Sequence, residues 1–254
     1  MGGFDERVAV VTGGAAGIGL ASARALAADG ATVVIGDVDP TGGAQAVAAI
    51  EAGGGRALFT RVDVTEEAEI RAMVLLAVEQ FGRLDHAVNN AGVVVAEGIP
   101  AHEYEVADFE RLLRINLHGV FLSLKHEITA MLGGGRPGSI VNVASVAALH
   151  GGAGSIAYTA SKHAVAGMTK RTAVDLAQRG IRVNAVAPGP THTSMMDRAI
   201  EVDPEILGRA GARVPMNRVA QPDEIAEAIR WLLSDGASYV TGEILSVDGG
   251  WSAL

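Results

Sequence analysis

Val8-Ala9-Val10-Val11-Thr12-Gly13-Gly14-Ala15-Ala16-Gly17-Ile18-Gly19 is the stretch that decides the fold. Its first part is a short β-branched run, suited to a strand buried on both faces. Its second part is a glycine-rich turn. The segment that follows, Leu20 to Ala28, is rich in Ala and Leu and stops at Asp29-Gly30, as a helix with a C-terminal glycine does. Strand, glycine turn and helix N-terminus in that order make an anion site. Backbone N–H groups and the helix dipole face a pyrophosphate, and the missing side chains let it approach. The spacing is G-x-x-x-G-x-G, a departure from the general G-x-G-x-x-G dinucleotide fingerprint. With 33 Gly in the chain, glycines also occur in plainer roles. Gly53-Gly54-Gly55 and Gly133-Gly134-Gly135 each follow a helical stretch and precede a strand, so they read as helix stops and turns.

Outward from that stretch, strands and helices alternate to the end. Further strand candidates are Thr32 to Gly36, Ala57 to Val62, Ala87 to Asn89, Ser139 to Ala144, Ile181 to Val186 and Ile244 to Val247. Helical stretches between them include Glu66 to Phe81, Tyr104 to Met131, Tyr158 to Gln178 and Pro222 to Ser234. This βαβα rhythm predicts an α/β fold, a doubly wound seven-stranded parallel sheet with helices on both faces. No linker, repeat or low-complexity tract divides the chain, so residues 1–254 are read as one domain. The segment 191–221 breaks the rhythm and carries Met195, Met196 and Met216. Ligands in such sheets bind beyond the C-terminal strand ends, which makes this segment the expected lid or substrate rim.

Composition narrows the partners. The chain has 254 residues, 49% hydrophobic and 4% aromatic, so its core is built from Ala, Val, Ile and Leu. A net charge of −9 argues against a nucleic-acid partner or an anionic membrane surface. With no Cys there are no disulfides, thiolate metal sites or Cys nucleophile, and no metal is expected. No signal segment or membrane span is visible, so the expected location is cytoplasmic.

Asp37 ends the second apolar run, 18 residues after Gly19. A carboxylate there accepts hydrogen bonds from an adenosine ribose and repels a 2′-phosphate. No basic residue lies beside it or within the glycine turn. The expected cofactor is therefore NAD(H) rather than NADP(H). The plainer reading makes Asp37 a strand-ending turn residue before Asp39-Pro40.

Tyr158 and Lys162 stand four residues apart on a predicted helix, and so share one face. Ser145 lies upstream, at the end of the fifth apolar run. Phenol, ammonium and hydroxyl together make a proton-transfer centre. A phenol with pKa near ~10 is a sluggish base at neutral pH, and a nearby cation favours its phenolate.

Taken together, Thr12-Gly13 through Gly19, Asp63-Val64, Asn89-Asn90-Ala91-Gly92, Asn116, Ser145, Tyr158 with Lys162, and Pro188-Gly189 with Thr193 resemble the short-chain dehydrogenase/reductase superfamily. The resemblance runs from Arg7 to Trp251 and fits the NAD-dependent branch with a Rossmann-like domain of this size. It implies that Tyr158 is the general acid/base, that Ser145 hydrogen-bonds the substrate oxygen, and that Lys162 lowers the Tyr158 pKa and binds the nicotinamide ribose. Asn116 would hold a water in a relay from Lys162; otherwise it is a back-bonded helix residue. Gly13, Ala16, Gly17, Ile18 and Gly19 would take the pyrophosphate, and Asp63 and Val64 the adenine, unless Asp63 only caps a helix beside Thr65. Asn90, Ala91 and Gly92 would let the cofactor lie along the fourth strand. Pro188, Gly189, Thr191 and Thr193 would meet the nicotinamide, with Thr191 standing where the family commonly has an aliphatic residue.

The implied reaction interconverts a secondary alcohol and a ketone. Val93, Val94, Val95, Leu149, Met195 and Met196 are the expected apolar wall, with His150 and His192 as polar contacts. A cyclic or otherwise apolar alcohol, steroid- or terpenoid-like, is the expected substrate. The rivals are a 3-oxoacyl-thioester (carrier-protein) reductase, which would want NADPH and a basic docking patch, and a non-catalytic NAD-binding sensor. The resemblance also implies a homotetramer, or else a dimer.

Overall fold

The computed structural model describes residues 3–95, 98–151 and 154–254. The side chains at 195, 198, 199 and 202 lie outside this description, and with them the expected contact from Met195.

The elements run β1 (Val8–Thr12), α1 (Gly17–Ala28), β2 (Thr32–Asp37), α2 (Pro40–Ala52), β3 (Arg56–Arg61), α3 (Glu67–Phe81), β4 (His86–Asn89), α4 (Val106–Leu113) and α5 (Gly119–Gly134). They continue with β5 (Gly138–Val143), α6 (Ile156–Leu176), β6 (Ile181–Pro188), α7 (Ser194–Val202), α8 (Ile206–Ala212), α9 (Pro222–Leu233) and β7 (Ile244–Val247). The seven strands form one sheet in the order β3-β2-β1-β4-β5-β6-β7, every pair parallel.

Both faces of the sheet are covered, which is why its central strands read as unbroken apolar runs. Val10, Val34, Ala87 and Ile140 point to one side and pack on Ile70 and Met73 of α3, Leu122 and Leu124 of α5, and Val165 of α6. Ala9, Val11, Val33, Ile35, Val88 and Val141 point to the other, onto Leu26 of α1, Ile50 of α2 and Ile225 and Ile229 of α9. The chain winds outward in both directions from β1 and β4, so a crevice opens between their C-terminal ends. Thr12 and Asn89 are register partners at that opening.

Several boundaries differ from the sequence expectation, each for a local reason. Helix α1 begins at Gly17 rather than Leu20, because the last glycines of the turn form its first turn. The long helix expected over 104–131 is split. A π-turn at Arg114–His118 separates α4 from α5, and such turns concentrate at functional positions. β5 runs from Gly138 to Val143 rather than from Ser139 to Ala144, and Ser145 is the N-cap of a 3-10 turn, Val146–Ala148, accepting the Ala147 N–H at 3.1 Å. The segment 191–221 contains α7 and α8, and its two ends are tied together. The Pro190 carbonyl accepts from Ala220 N at 2.8 Å, and His192 N donates to the Ala220 carbonyl at 2.9 Å.

At the opposite end of the sheet, Arg182 donates to the carbonyls of Leu232, Leu233, Ser234 and Val240, closing the C-terminus of α9. His86 is buried edge-on against the Phe4 ring, 5.0 Å between centroids. Neither of its ring nitrogens has a hydrogen-bond partner, and burial pulls its pKa down to about 4. No described helix is long and apolar enough to cross a membrane.

Candidate active site at the carboxyl edge of the sheet

The glycine turn is packed so tightly that side chains are excluded from it. Gly13 has φ 65°, and a Cβ there would sit 2.8 Å from both Ala91 Cα and Asn90 Nδ2. A Cβ on Gly19 would collide with the Gly13 carbonyl. Asn90 fixes this approach: its Nδ2 donates to the carbonyls of Thr12 at 3.2 Å and Gly13 at 2.8 Å. Thr12 Oγ1 returns the link by accepting from Asn90 N at 3.1 Å and Ala91 N at 3.3 Å. Ala16 is the N-cap of α1 and offers no side-chain hydrogen bond, so the first-turn N–H groups remain for an anion. Gly17, with φ 53°, faces the Thr193 side chain, which brings the turn and the start of segment 191–221 together. Ile18, half-buried, follows in the first turn of α1.

Asp37 takes the turn role and adds a second bond, to the glycine turn. Its Oδ1 accepts the Asp39 N–H at 3.1 Å as a turn residue, and its Oδ2 accepts Ala15 N at 3.1 Å, pinning the glycine turn. Each oxygen retains a lone pair for ribose hydroxyls. Asp63 does not cap a helix, since the N-cap of α3 is Glu66, but it closes the turn that precedes it. Its Oδ1 accepts both Thr65 N and Thr65 Oγ1, at 2.9 and 2.8 Å, and these bonds hold its carboxyl below the usual range. Val64 is buried against Gly119, where a Cβ would come within 2.8 Å of Val64 Cγ2. A dinucleotide fits what these residues offer: a cradle without side chains, free helix N–H groups and a carboxylate at the end of β2.

Tyr158 and Lys162 do share a face of α6. The Lys162 ammonium lies 5.6 Å from the Tyr158 ring centroid. Lys162 is only 4% exposed, and its Nζ donates to the Val143 carbonyl at 2.8 Å. Burial pulls its pKa down to about 8. Ser145, two residues beyond Val143, is itself buried. With Ser145 Oγ accepting from Ala147 N, its own O–H remains to donate.

Asn116 is fully buried, and both ends of its amide are in use. Nδ2 donates to the Val93 carbonyl and Oδ1 accepts Val93 N, both at 2.8 Å. A Cβ on Gly92 would lie 3.3 Å from Asn116 Oδ1 and 3.7 Å from Lys162 Nζ, so the bare glycine lets these two groups approach.

Around this centre stand residues the motifs did not reveal. Ser155 caps α6, accepting Tyr158 N at 3.3 Å, and meets the Tyr104 hydroxyl at 3.2 Å. Tyr104 also donates to the Val95 carbonyl at 3.0 Å, bracing the loop after β4 against the start of α6. A Ser three residues before Tyr158 carried a readable cap signal. Nothing in the sequence connected Tyr104 to it.

The expected nicotinamide and substrate contacts fare unevenly. Gly189, just after Pro188, donates to the Val247 carbonyl at 3.1 Å, and a Cβ there would sit 2.9 Å from Asp248 Cα. Thr191 turns its hydroxyl onto the Gly189 carbonyl at 2.9 Å and is buried. His192 pairs with Asp197 at 2.9 Å, so its Nε2 is already engaged. His150 Nε2 is buried without a hydrogen-bond partner. Leu149 is exposed at 38%, while Val94 and Met196 are half-buried.

A family model described as enoyl-(acyl carrier protein) reductase matches residues 13–252. Cis-4-hydroxycyclohexanecarboxylate dehydrogenase of Sinomonas cyclohexanicum is 47% identical over 252 residues, covering 99% of this chain and 98% of that protein. Cyclohexanol dehydrogenase of an Acinetobacter species (strain SE19) is 37% identical, over 98% of this chain and 96% of that one. The crystal structure of levodione reductase superposes with a TM-score of 0.93 at 38% identity, covering 98% of this chain and 99% of that one.

The chain belongs to the short-chain dehydrogenase/reductase family. As a member it is an oxidoreductase that interconverts a secondary alcohol and a ketone with a nicotinamide cofactor. Relatives named as alcohol dehydrogenases and ketone reductases, matched end to end, outweigh the carrier-protein wording of the family description.

Proposed function

We propose that this dehydrogenase acts on a secondary alcohol carried by a six-membered ring, or on the matching ketone, and that it uses NAD(H). The observation that carries the catalytic reading is the buried Lys162 ammonium, held by the Val143 carbonyl beneath the Tyr158 ring. A fixed cation beside a phenol favours the phenolate, so Tyr158 takes the alcohol proton or returns it to a ketone oxygen. Ser145 donates its O–H to the same substrate oxygen and sets its position. A nicotinamide, when bound, supplies the hydride acceptor or donor. Lys162 would also hold the nicotinamide ribose, with Asn90, Ala91 and Gly92 leaving room for the cofactor at the end of β4. Asn116 holds the Val93 loop and keeps one N–H and one lone pair for a water that passes protons from Lys162.

Asp37 supports the choice of NAD(H), since both its oxygens lie where a 2′-phosphate would be repelled. The ring preference rests on the names of the relatives, two of which act on cyclohexane alcohols. It narrows the steroid- or terpenoid-like expectation to a single ring. Residues 191–221 serve as the lid of a one-domain enzyme. Exposed Phe121 on α5 and Val174 on α6, with Tyr239 and Leu254 near the C-terminus, support a homotetramer, which we place in the cytoplasm.

The test follows absorbance of reduced nicotinamide while the protein meets cyclohexanols with and without a 4-carboxylate, their ketones, and a 3-oxoacyl thioester. Each is run with NAD(H) and with NADP(H). Turnover of a ring alcohol with NAD+ is expected. A preference for NADP(H), or for the thioester, would overturn this reading.

A further inference from the structure

Beneath the site lies a polar chain that the reaction itself does not use. Glu127 of α5 is fully buried and faces β4, where Asn89 Nδ2 donates to its Oε2 at 3.0 Å. The same Asn89 Nδ2 donates to Asn142 Oδ1 at 3.0 Å. Asn142 Nδ2 donates to Thr169 Oγ1 at 2.9 Å, and Thr169 donates to the Val165 carbonyl at 2.8 Å. With Thr169 donating to the Val165 carbonyl, which only accepts, every bond back to Asn89 runs in this direction. That leaves two buried acceptors without a donor, Glu127 Oε1 and Asn89 Oδ1. An ionised carboxylate only accepts and would leave both orphaned, at the full cost of an unmade buried hydrogen bond. A proton on Oε1 turns one of these two acceptors into a donor.

The chain ends on the catalytic apparatus. Asn89 immediately precedes Asn90, the staple of the glycine turn. Asn142 immediately precedes Val143, whose carbonyl holds Lys162, and Thr169 lies on the helix that carries Tyr158 and Lys162. We propose that Glu127 is a positioning residue that works as a neutral carboxylic acid, locking β4, β5 and α6 in the register that sets Asn90 and the Val143 carbonyl.

No charge opposes this state. Burial, against the Asn89 bond, lifts the Glu127 pKa to about 7, and no ionic group contributes. Of the charged groups on the surrounding elements, Lys162 of α6 is committed to Val143, and His86 stands at the far end of β4. Glu67 of α3 is tied to Lys125 and His126 of α5 on the exposed side. The unfolded chain loses this proton near the ordinary value of 4.5, the folded chain only near 7. The stabilisation is therefore complete below the lower value and lost as pH rises through the upper one.

The test compares wild type with Glu127→Gln and Glu127→Leu from pH 6 to 9. Gln keeps the volume and supplies a permanent donor. Unfolding midpoints are measured without cofactor, and NADH affinity by nicotinamide fluorescence. Relative to Glu127→Gln, the wild-type midpoint should fall by roughly 2–4 °C as pH rises through 7. Wild-type NADH affinity should weaken over the same range by roughly three- to tenfold, while Glu127→Gln stays flat. Glu127→Leu, which leaves one Asn89 N–H unpaired, should bind NADH more weakly at every pH. Parallel pH profiles for wild type and Glu127→Gln would overturn the proposal. The affinity arm rests on the cofactor reading above. If no variant binds NADH at any pH, that reading fails, and the cofactor-free unfolding profiles still decide the state of Glu127.

Discussion

On the proposed reading, Asp37 concentrates the cofactor choice in one carboxylate. It already pins Ala15 and Asp39, so a replacement must keep the turn while losing the charge. Asp37→Ser should shift the ratio of kcat/KM values toward NADP(H) by on the order of tenfold, the worth of about one removed charge repulsion. Initial rates with both cofactors at fixed alcohol check this. Asp37 could be singled out because it stands a short distance in sequence from the glycine turn, to which it bonds through Ala15. Tyr158 and Lys162 were legible for the same reason, as helix neighbours four apart. What holds Lys162 was not. The Val143 carbonyl comes from another strand, and the choice between a surface and a buried lysine depended on it. Asn116 was read by its position, but its two bonds to the Val93 backbone appear only once the β4 loop folds over the π-turn. Asn116→Leu should cost about 1–3 kcal/mol, because it strands the Val93 amide and carbonyl. Denaturant unfolding of the variant measures that loss.

The long helix α6 is set by its cap. Ser155 satisfies Tyr158 N and touches Tyr104, so a single hydroxyl fixes both where the helix starts and how the β4 loop meets it. Ser155→Ala should destabilise the fold by about 1 kcal/mol and lower kcat more than it raises KM for the cofactor. A chemical-denaturation midpoint together with steady-state kinetics separates the two effects. The α5 side resisted sequence reading for a physical reason. Its helical periodicity runs continuously from Tyr104 to Met131, and the extra residue of a π-turn leaves no mark on the apolar pattern. Segment 191–221 was placed as an interruption, yet its two short helices and the backbone pairing of Thr191 with Ala220 arise from contacts across the stem.

Across the whole molecule, sheet and helices bury two apolar faces, and among the described residues they enclose a few ionisable groups, Asp85, His86, Glu127 and Lys162 among them. His86 is sealed at the end of β4, far from the chemistry. Burial holds its folded pKa near 4 against an ordinary 6.5. The unfolded chain therefore binds the proton first. The contribution is full above about 6.5 and is lost as pH falls toward 4. His86→Leu should remove this sensitivity, so that its stability relative to wild type improves by about 2 kcal/mol between pH 7 and pH 5. Urea unfolding of both proteins at the two pH values gives the difference. The order of the strands came only with the structure, whereas the seven parallel strands and the two-faced core followed from the alternation of apolar runs. The identity of the buried polar groups did not, because a His or Glu inside a periodic pattern looks the same whether it faces water or packing.

The reading stands on Tyr158 as the proton-transfer group of a nicotinamide-dependent alcohol dehydrogenase. The most direct measurement is turnover of a ring alcohol by Tyr158→Phe beside the wild-type protein, with NADH affinity determined on both. A rate lower by about 10²-fold or more, with NADH affinity retained, is the expected result. A variant that keeps most of its rate would contradict it.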